Sequence, residues 1–285
     1  MLNTVFPEAA RAVLAEAYPA RAAKLPHGLS AHPLLTLDAL ADLAGFLPPE
    51  EVEYNPGDLP VGIAPEDVPQ ARMGVQETIR DIAAAGSWVA LKRIERHPGY
   101  AELLGQALAE IESLVAPMTG RMLGREGFIF ISSPNAVTPF HFDPEHNILL
   151  QIAGRKTMTV FQTMDEALFP PDVHEDFHVG AHHRNLDWRD SYASRGTAIA
   201  IGPGEAIHVP VKAPHWVHNG PEPSISLSVT WRSEWSYAEA DARAFNHAVR
   251  RLGMEPKSPA PWPARNMPKA LAWRAIRKMK SGLAG

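Results

Sequence analysis

Cysteine is absent from this 285-residue chain. Its absence excludes disulfide bonds, thiolate zinc sites and a cysteine nucleophile. Positive charge is also scarce: 27 Lys and Arg stand against 32 Asp and Glu, a net charge of −5, which disfavours a protein that holds nucleic acid by neutralising phosphates. No run approaches the roughly 18 apolar residues of a membrane span, and the first residues lack the basic start and apolar stretch of a secretory signal. We therefore expect a cytoplasmic protein with no nucleic-acid partner and no membrane span.

The remaining composition, 45% apolar and 21% charged residues, allows one large core. Residues 1–126 place apolar side chains at three- and four-residue steps, which predicts a helical region packed on the rest of the chain. Within it, residues 87–94 favour a strand. Residues 236–285 again predict helices. We expect these parts and the segment between them to form a single structural unit.

The central segment, residues 127–235, consists of short β-like runs separated by Gly and Pro. The runs are 128–132, 146–152, 156–161, 197–201, 206–210 and 224–231. This texture is typical of a many-stranded antiparallel barrel or sandwich. The predicted fold class is therefore mainly β with flanking helices.

A His-x-Asp pair in the central segment predicts a metal site. A strand alternates its side chains between two faces, so His141 and Asp143 point the same way and can bind one ion. A third ligand has to come from elsewhere, and His215 is the best candidate, with His218 as a rival three residues later. Two histidines and one carboxylate on one face of an ion are the ligand set of non-haem Fe(II) oxygenases.

Lys156 follows this pair at the start of a later strand, on the same strand face as Met158 and Val160. If that face points inward, the ammonium needs an anionic partner, because a lone buried charge is very costly. A dicarboxylate ligand would supply that partner.

The run from Val137 to Lys156 resembles the Jumonji-C branch of the cupin superfamily, and is most similar to asparaginyl-hydroxylase-like members and to bacterial cupin-like proteins. The family pattern Val-Thr-Pro-x-His-x-Asp, then Asn, then Gln-Ile-x-Gly-x-Lys, is present without a gap. The resemblance implies a double-stranded β-helix, the cupin or jelly-roll barrel, over residues 127–235 that uses Fe(II), 2-oxoglutarate and O2. It also implies the roles of six residues: His141, Asp143 and His215 as the catalytic iron ligands, Thr138 and Asn147 as hydrogen-bonding contacts to 2-oxoglutarate, and Lys156 as the cation on its distal carboxylate.

Two positions depart from the family pattern. Thr230 stands in the strand after His215 where these hydroxylases commonly offer an Asn to the cosubstrate. A threonine hydroxyl can still donate a hydrogen bond, so we retain Thr230 as a cosubstrate contact. An aromatic hydroxyl that some relatives use on the cosubstrate has no counterpart, because the candidate strand offers Trp88 and no tyrosine.

A His-Glu-x-x-His sequence at residues 174–178 suggests a zinc protease instead. That motif works on a helix, where both histidines share a face. Here two prolines precede it and Gly180 follows soon after, which leaves room for barely two turns. We therefore interpret residues 169–190 as an inserted loop over the barrel mouth, which either closes on substrate or is a solvated polar surface.

Three further interpretations concern residues outside the ligand set. His146 is expected at the surface or behind the ligands, on the face opposite Asp143, and Gln151 either forms a structural hydrogen bond or contacts substrate. Near the C-terminus an apolar helix face is predicted opposite a basic one. This helix either contacts an anionic partner or membrane surface or docks on the protein's own core or on a second subunit. By resemblance, such C-terminal helices suggest a homodimer. The apolar face comprises Ala272, Ile276, Met279 and Leu283, and the basic face Arg274, Arg277 and Lys278.

The resemblance implies a dioxygenase that hydroxylates a C–H bond of a protein or peptide side chain, or of an amino-acid-like small molecule. Two alternatives remain. One is a cupin metalloenzyme that works without 2-oxoglutarate, such as an isomerase or decarboxylase, and Lys156 argues against it. The other is a non-catalytic metal-binding cupin that senses a ligand or scaffolds a complex, and the intact ligand set argues against that.

Overall fold

The computed structural model describes residues 4–56, 73–182 and 185–283, in which two antiparallel sheets face each other. A seven-stranded sheet has the order β1-β9-β6-β11-β4-β3-β2, and a four-stranded sheet has the order β5-β10-β7-β8. This arrangement confirms the predicted cupin or jelly-roll barrel with flanking helices. The strands are β1 Ala23–Pro26, β2 Val52–Pro56, β3 Ser87–Lys92, β4 Met122–Ser132, β5 Val137–His141, β6 His146–Ala153, β7 Lys156–Val160, β8 Thr197–Ile201, β9 Glu205–Val209, β10 His215–Asn219 and β11 Ser224–Ser233.

Strand alternation gives the large sheet two different faces. In β4, Ile129 and Ile131 are fully buried in the main apolar core, whereas Phe128 and Phe130 line a cavity between the sheets. In β11 the same alternation buries Leu227 in the main core. One face of the large sheet therefore packs in the core with the helices, and the other face lines the cavity between the sheets.

The helices α1 Glu8–Ala17, α2 Leu37–Phe46, α3 Val75–Arg80 and α4 Pro98–Thr119 come from the N-terminal region. In α4, Leu108, Ile111 and Val115 follow the three- and four-residue steps of an amphipathic helix and are buried in the main core. Pro98 occupies its first turn and Gly120, with φ 86°, follows its last residue. Both are favoured positions for these residues at helix ends.

The N-terminal region also contributes strands to the large sheet. β3 lies beside β4, as residues 87–94 predict, but β1 and β2 are not evident from the sequence. β1 pairs with β9 at one edge, and β2 pairs with β3 at the other. Both are short, and their pairing partners are distant in sequence, so no local pattern marks them.

The segment interpreted as an inserted loop contains a helix, α5 Pro171–Phe177, which corrects that interpretation. Proline at the start of α5 suits a first helical turn. α5 packs against α6 Glu234–Arg250. The α6 N-terminus carries a reciprocal cap, in which the side chains of Ser233 and Ser236 each bond the other's main chain.

α7 Met267–Leu283 packs against α6. Arg274 of its basic face donates from Nε to Asp241 of α6 over 2.6 Å. On the predicted apolar face, Ala272 and Ile276 are half-buried, whereas Met279 is 61% exposed. An ion pair, which the apolar periodicity does not show, therefore links α7 to α6. Among the described residues, no helix has the length and apolar character that a membrane crossing requires.

Candidate metal and cosubstrate site

Three side chains converge at one end of the barrel. His141 ends β5, His215 begins β10, and the two residues pair across these strands. Asp143 Oδ2 lies 3.9 Å from His141 Nε2 and 3.8 Å from His215 Nε2. Candidate ligand atoms of all three lie within 4.8 Å of one another, and no other group of three His, Asp or Glu residues in the described ranges does so. This triad has the composition and spacing of a two-histidine, one-carboxylate metal site.

The remaining ring nitrogens hold the histidines in position. His141 Nδ1 lies 2.7 Å from the main-chain oxygen of Pro139, and His215 Nδ1 lies 2.9 Å from that of Ala213. A carbonyl accepts only from a protonated nitrogen, so each Nδ1 carries the hydrogen and each Nε2 keeps its lone pair. Such outer hydrogen bonds are the usual way to orient histidine ligands on a metal. His218 is exposed and lies outside the triad.

A cavity of about 510 Å³ extends from the triad between the two sheets. Its walls include all the residues predicted to contact 2-oxoglutarate, which are Thr138, Asn147, Lys156 and Thr230, together with apolar side chains such as Phe128, Phe130, Leu149 and Met158. The structure thus brings the predicted metal ligands and cosubstrate contacts to one cavity.

Lys156 is buried in this cavity with only 6% of its surface exposed. Its ammonium makes no hydrogen bond or ion pair with any described residue. Burial alone lowers the pKa of its ammonium from 10.5 to about 7. A buried amine without a counter-ion is costly, so the cavity is suited to a ligand that brings a negative charge to Lys156.

Asn147 and Thr230 face each other across β6 and β11 and differ in what they can offer. Ser228 Oγ donates to Asn147 Oδ1 over 2.6 Å, which leaves the Asn147 amide N–H groups as donors. Thr230 Oγ1 donates to the main-chain oxygen of Glu126 over 2.7 Å. Its hydroxyl can therefore only accept from a ligand while that bond persists. The sequence analysis did not foresee Ser228, because a serine within a strand carries no distinctive signal.

Two other polar residues of β6 make contacts that support the fold. His146 is fully buried, stacks on Trp231 with ring centroids 5.2 Å apart and bonds Ser233 Oγ through Nε2 at 2.8 Å, so of its two predicted positions the one at the surface is wrong. Gln151 donates to Ser224 Oγ over 2.9 Å and accepts from Ser226 Oγ over 2.7 Å. These bonds make Gln151 a structural residue and leave substrate contact unsupported.

The His-Glu-x-x-His sequence lies on α5 but does not form a metal site in the described part of the chain. His174 packs on Phe142, with ring centroids 5.1 Å apart, and burial lowers its pKa strongly. Both oxygens of Glu175 accept hydrogen bonds from Arg250, at 2.9 and 3.1 Å. A carboxylate held in this way is not placed to act as a general base, which removes the basis for the protease reading.

Comparison with solved structures identifies the fold. The structure of E. coli ycfD matches with a TM-score of 0.51 and 17% identity, and the match covers 95% of this chain and 66% of that one. The chain has the cupin-like barrel fold of that structure. A relative in sequence, lysine-specific demethylase 8 of Xenopus tropicalis, is 35% identical over 101 residues, which are 33% of this chain and 22% of the demethylase. No model of a known protein family matches the chain.

Another structure of YcfD, described as a ribosomal oxygenase from E. coli in complex with cobalt and 2-oxoglutarate, has a TM-score of 0.48 at 17% identity and covers 95% of this chain and 65% of that one. The present chain spans less than two thirds of YcfD and about a fifth of the demethylase. The shared property is the fold, including the barrel in which the triad lies.

Proposed function

We propose that this protein is an Fe(II)- and 2-oxoglutarate-dependent oxygenase that hydroxylates a C–H bond. The observation that carries the proposal is the buried, unpaired ammonium of Lys156 in the same cavity as the triad. A 2-oxo dicarboxylate fits both features, because its oxo acid end can chelate the metal while its distal carboxylate neutralises Lys156. A ligand with a single carboxylate satisfies only one of them.

The position of each residue in the cavity determines its proposed role. The two Nε2 atoms and the Asp143 carboxylate would hold Fe(II) on one face, leaving its other positions for ligands. With iron bound, 2-oxoglutarate and O2 would be converted to succinate and CO2 as a substrate C–H bond is hydroxylated. Lys156 would bind the distal carboxylate and the Asn147 amide would donate to the cosubstrate. Phe128 and Phe130, together with the other apolar walls, would exclude water from the reacting groups.

The substrate class is proposed as a protein or peptide side chain, with an amino-acid-like small molecule as the second candidate. The names of the relatives support the first choice, because one is described as a ribosomal oxygenase and the other as a lysine-specific demethylase. A cytoplasmic location and a homodimer through the C-terminal helices stay predictions. Leu271 and Met279 of α7, which are 55% and 61% exposed, offer apolar surface for such pairing.

An anaerobic titration tests the proposed cofactor chemistry. Metal-free protein is given Fe(II) and then 2-oxoglutarate, and the visible charge-transfer band of a chelated iron–2-oxo acid complex is followed. We expect the band in the unmodified protein and in His218→Ala, and its loss in His215→Ala. Iron binding without a band would favour a 2-oxoglutarate-independent cupin or a non-catalytic metal-binding barrel.

A further inference from the structure

Glu239 of α6 is a buried carboxylate between two buried cations. Lys212 Nζ lies 2.6 Å from one of its oxygens, and Arg243 Nε lies 2.8 Å from the other. The Glu239 side chain is 1% exposed, and the two cationic side chains are each 2% exposed. A buried ion pair resists separation, because loss of either partner leaves a charge without compensation in the interior. The pair with Glu239 therefore fixes the position of the Lys212 side chain.

The main chain of Lys212 is in the left-handed region, with φ 59°. The Cβ of an L-residue crowds the following carbonyl oxygen in this conformation, so lysine seldom adopts it. Ala213 donates from its main-chain N–H to the oxygen of Pro210 over 3.0 Å, which closes a turn around Lys212. A strained conformation of this kind persists where surrounding contacts enforce it. In this turn the ion pair with Glu239 holds the side chain of the strained residue.

This turn contacts both segments that carry the outer metal ligands of the chain. The N–H of Lys212 donates to the main-chain oxygen of Asp143 over 2.8 Å, and the oxygen of Ala213 lies 2.9 Å from His215 Nδ1. The dihedral angle φ of Lys212 sets the direction of its own N–H relative to the peptide group that leads to Ala213. A change from left-handed to right-handed backbone at Lys212 would therefore move Asp143 and the His215 ring relative to each other.

We propose that Glu239 is a positioning residue for the metal. Through its ion pair with Lys212 it maintains the left-handed turn that places Asp143 and His215 at the spacing of the triad, and it thereby raises the affinity for a divalent ion. Contacts that orient metal ligands commonly change metal affinity by roughly 10- to 100-fold when they are lost. This inference rests on the proposed function and adds to it a residue that is not among those lining the cavity.

Two substitutions at Lys212 separate the backbone from the ammonium. Lys212→Ala and Lys212→Gly both remove the ion pair, and both leave Glu239 paired with Arg243, so neither leaves a lone buried charge. Only glycine adopts the left-handed conformation without strain. We expect Fe(II) affinity, measured by anaerobic calorimetry, to be roughly tenfold weaker in Lys212→Ala than in Lys212→Gly, the size of the left-handed penalty. Equal affinity in the two variants would overturn the role of the turn.

The absorption of bound Co(II) provides a second measurement. Its ligand-field bands depend on the coordination geometry, so they change when the ligands are displaced, whereas a loss of fold stability alone leaves them unchanged. We expect shifted bands in Lys212→Ala and bands close to those of the unmodified protein in Lys212→Gly. Unshifted bands in Lys212→Ala would mean that the turn does not place the ligands.

Glu239→Gln tests the carboxylate itself. Glutamine keeps the shape and removes the charge that pairs with Lys212, so Fe(II) affinity should fall roughly 10- to 100-fold. Glu175→Gln is the matched control, because Glu175 is also 1% exposed but pairs with Arg250 instead of Lys212. The control should unfold at a lower temperature and bind Fe(II) normally. Normal Fe(II) affinity in folded Glu239→Gln would assign Glu239 to fold stability alone, and if that variant does not fold, the two Lys212 variants decide.

His215→Ala separates this inference from the proposed function. Where the unmodified protein binds Fe(II) and His215→Ala does not, unchanged affinity in the Glu239 and Lys212 variants overturns the role of Glu239 while the oxygenase proposal stands. If the unmodified protein binds no Fe(II), or His215→Ala binds it equally well, the proposed function fails, and this inference with it.

Discussion

The main-chain N–H of Lys212 donates a 2.8 Å hydrogen bond to the main-chain oxygen of Asp143. Lys212 has a left-handed backbone with φ 59°, and its ammonium lies 2.6 Å from the buried carboxylate of Glu239 in α6. The turn before His215 and the segment that carries Asp143 are therefore tied to each other and to a helix. This connection holds the metal ligands in place through the protein's own contacts, which favours a preformed site.

Removal of any triad side chain should abolish specific iron binding without unfolding the protein. We expect His141→Ala, Asp143→Ala and His215→Ala each to lose stoichiometric Fe(II) in anaerobic calorimetry, because two ligands hold the ion poorly. The exposed His218 provides the matched control, and His218→Ala should bind iron normally. Retained affinity in the Asp143 variant would place the metal elsewhere.

Lys156→Met should separate cosubstrate binding from folding. We expect normal iron affinity and loss of 2-oxoglutarate binding, together with a more stable metal-free protein. The fall of the Lys156 pKa from 10.5 to about 7 corresponds to a burial cost of about 5 kcal/mol, part of which methionine removes. Urea unfolding at pH 6.5 measures the gain. A destabilised variant would indicate that Lys156 has a partner that supports the fold.

Stability and cosubstrate affinity should respond to pH in opposite directions. Between the folded pKa of about 7 and the unfolded value of 10.5, the unfolded chain holds more protons at Lys156, so this residue makes stability rise with pH across that window. Dicarboxylate binding needs the ammonium, so affinity should fall above pH 7 by up to about tenfold per unit. Calorimetry from pH 6.5 to 9 in two buffers would also detect proton uptake. An affinity that is flat across this range would speak against the ammonium as the partner.

Thr230→Val should affect folding more than cosubstrate binding. The Thr230 hydroxyl already donates a hydrogen bond to the main-chain oxygen of Glu126, and the loss of this bond should cost about 1 kcal/mol of unfolding free energy. We expect 2-oxoglutarate affinity to change by less than about threefold. A much larger loss of affinity would show that the cosubstrate takes over this hydroxyl when it binds.

His174→Phe should be tolerated. Both ring nitrogens of His174 are buried without partners, and its neighbours include Phe142 and Phe169. An apolar ring removes the unsatisfied polar atoms at similar shape, so thermal unfolding should occur at an equal or higher temperature. Metal content should be unchanged, whereas a zinc site on α5 would lose its ion.

The sequence predicts the central barrel and the triad because both are recorded in short stretches of chain. The short β-like runs between Gly and Pro and the two-residue step from His141 to Asp143 are local properties of the sequence. The link from His215 to this pair needed the family pattern, since 71 intervening residues separate Asp143 from His215 and no periodicity connects them.

The features that the sequence did not reveal depend on distant partners. β1 is recognisable only beside β9, and the burial of His146 follows from its stacking on Trp231. The ion pair that links α7 to α6 depends on Asp241, a residue of another helix. The buried indole N–H of Trp88, which donates to no described residue, likewise depends on its surroundings. Each of these features depends on a tertiary contact, which local sequence patterns do not show.

β3 and β2, the last two strands at one edge of the large sheet, matter for protein engineering. β3 supplies Trp88, Ala90 and Lys92 to the cavity wall, and β2 adds Glu53 and Asn55. A fragment that begins at residue 127, the predicted start of the barrel, would keep every metal ligand but would leave the cavity open along one side. A transfer of the catalytic module to another scaffold therefore has to include the first ninety-two residues.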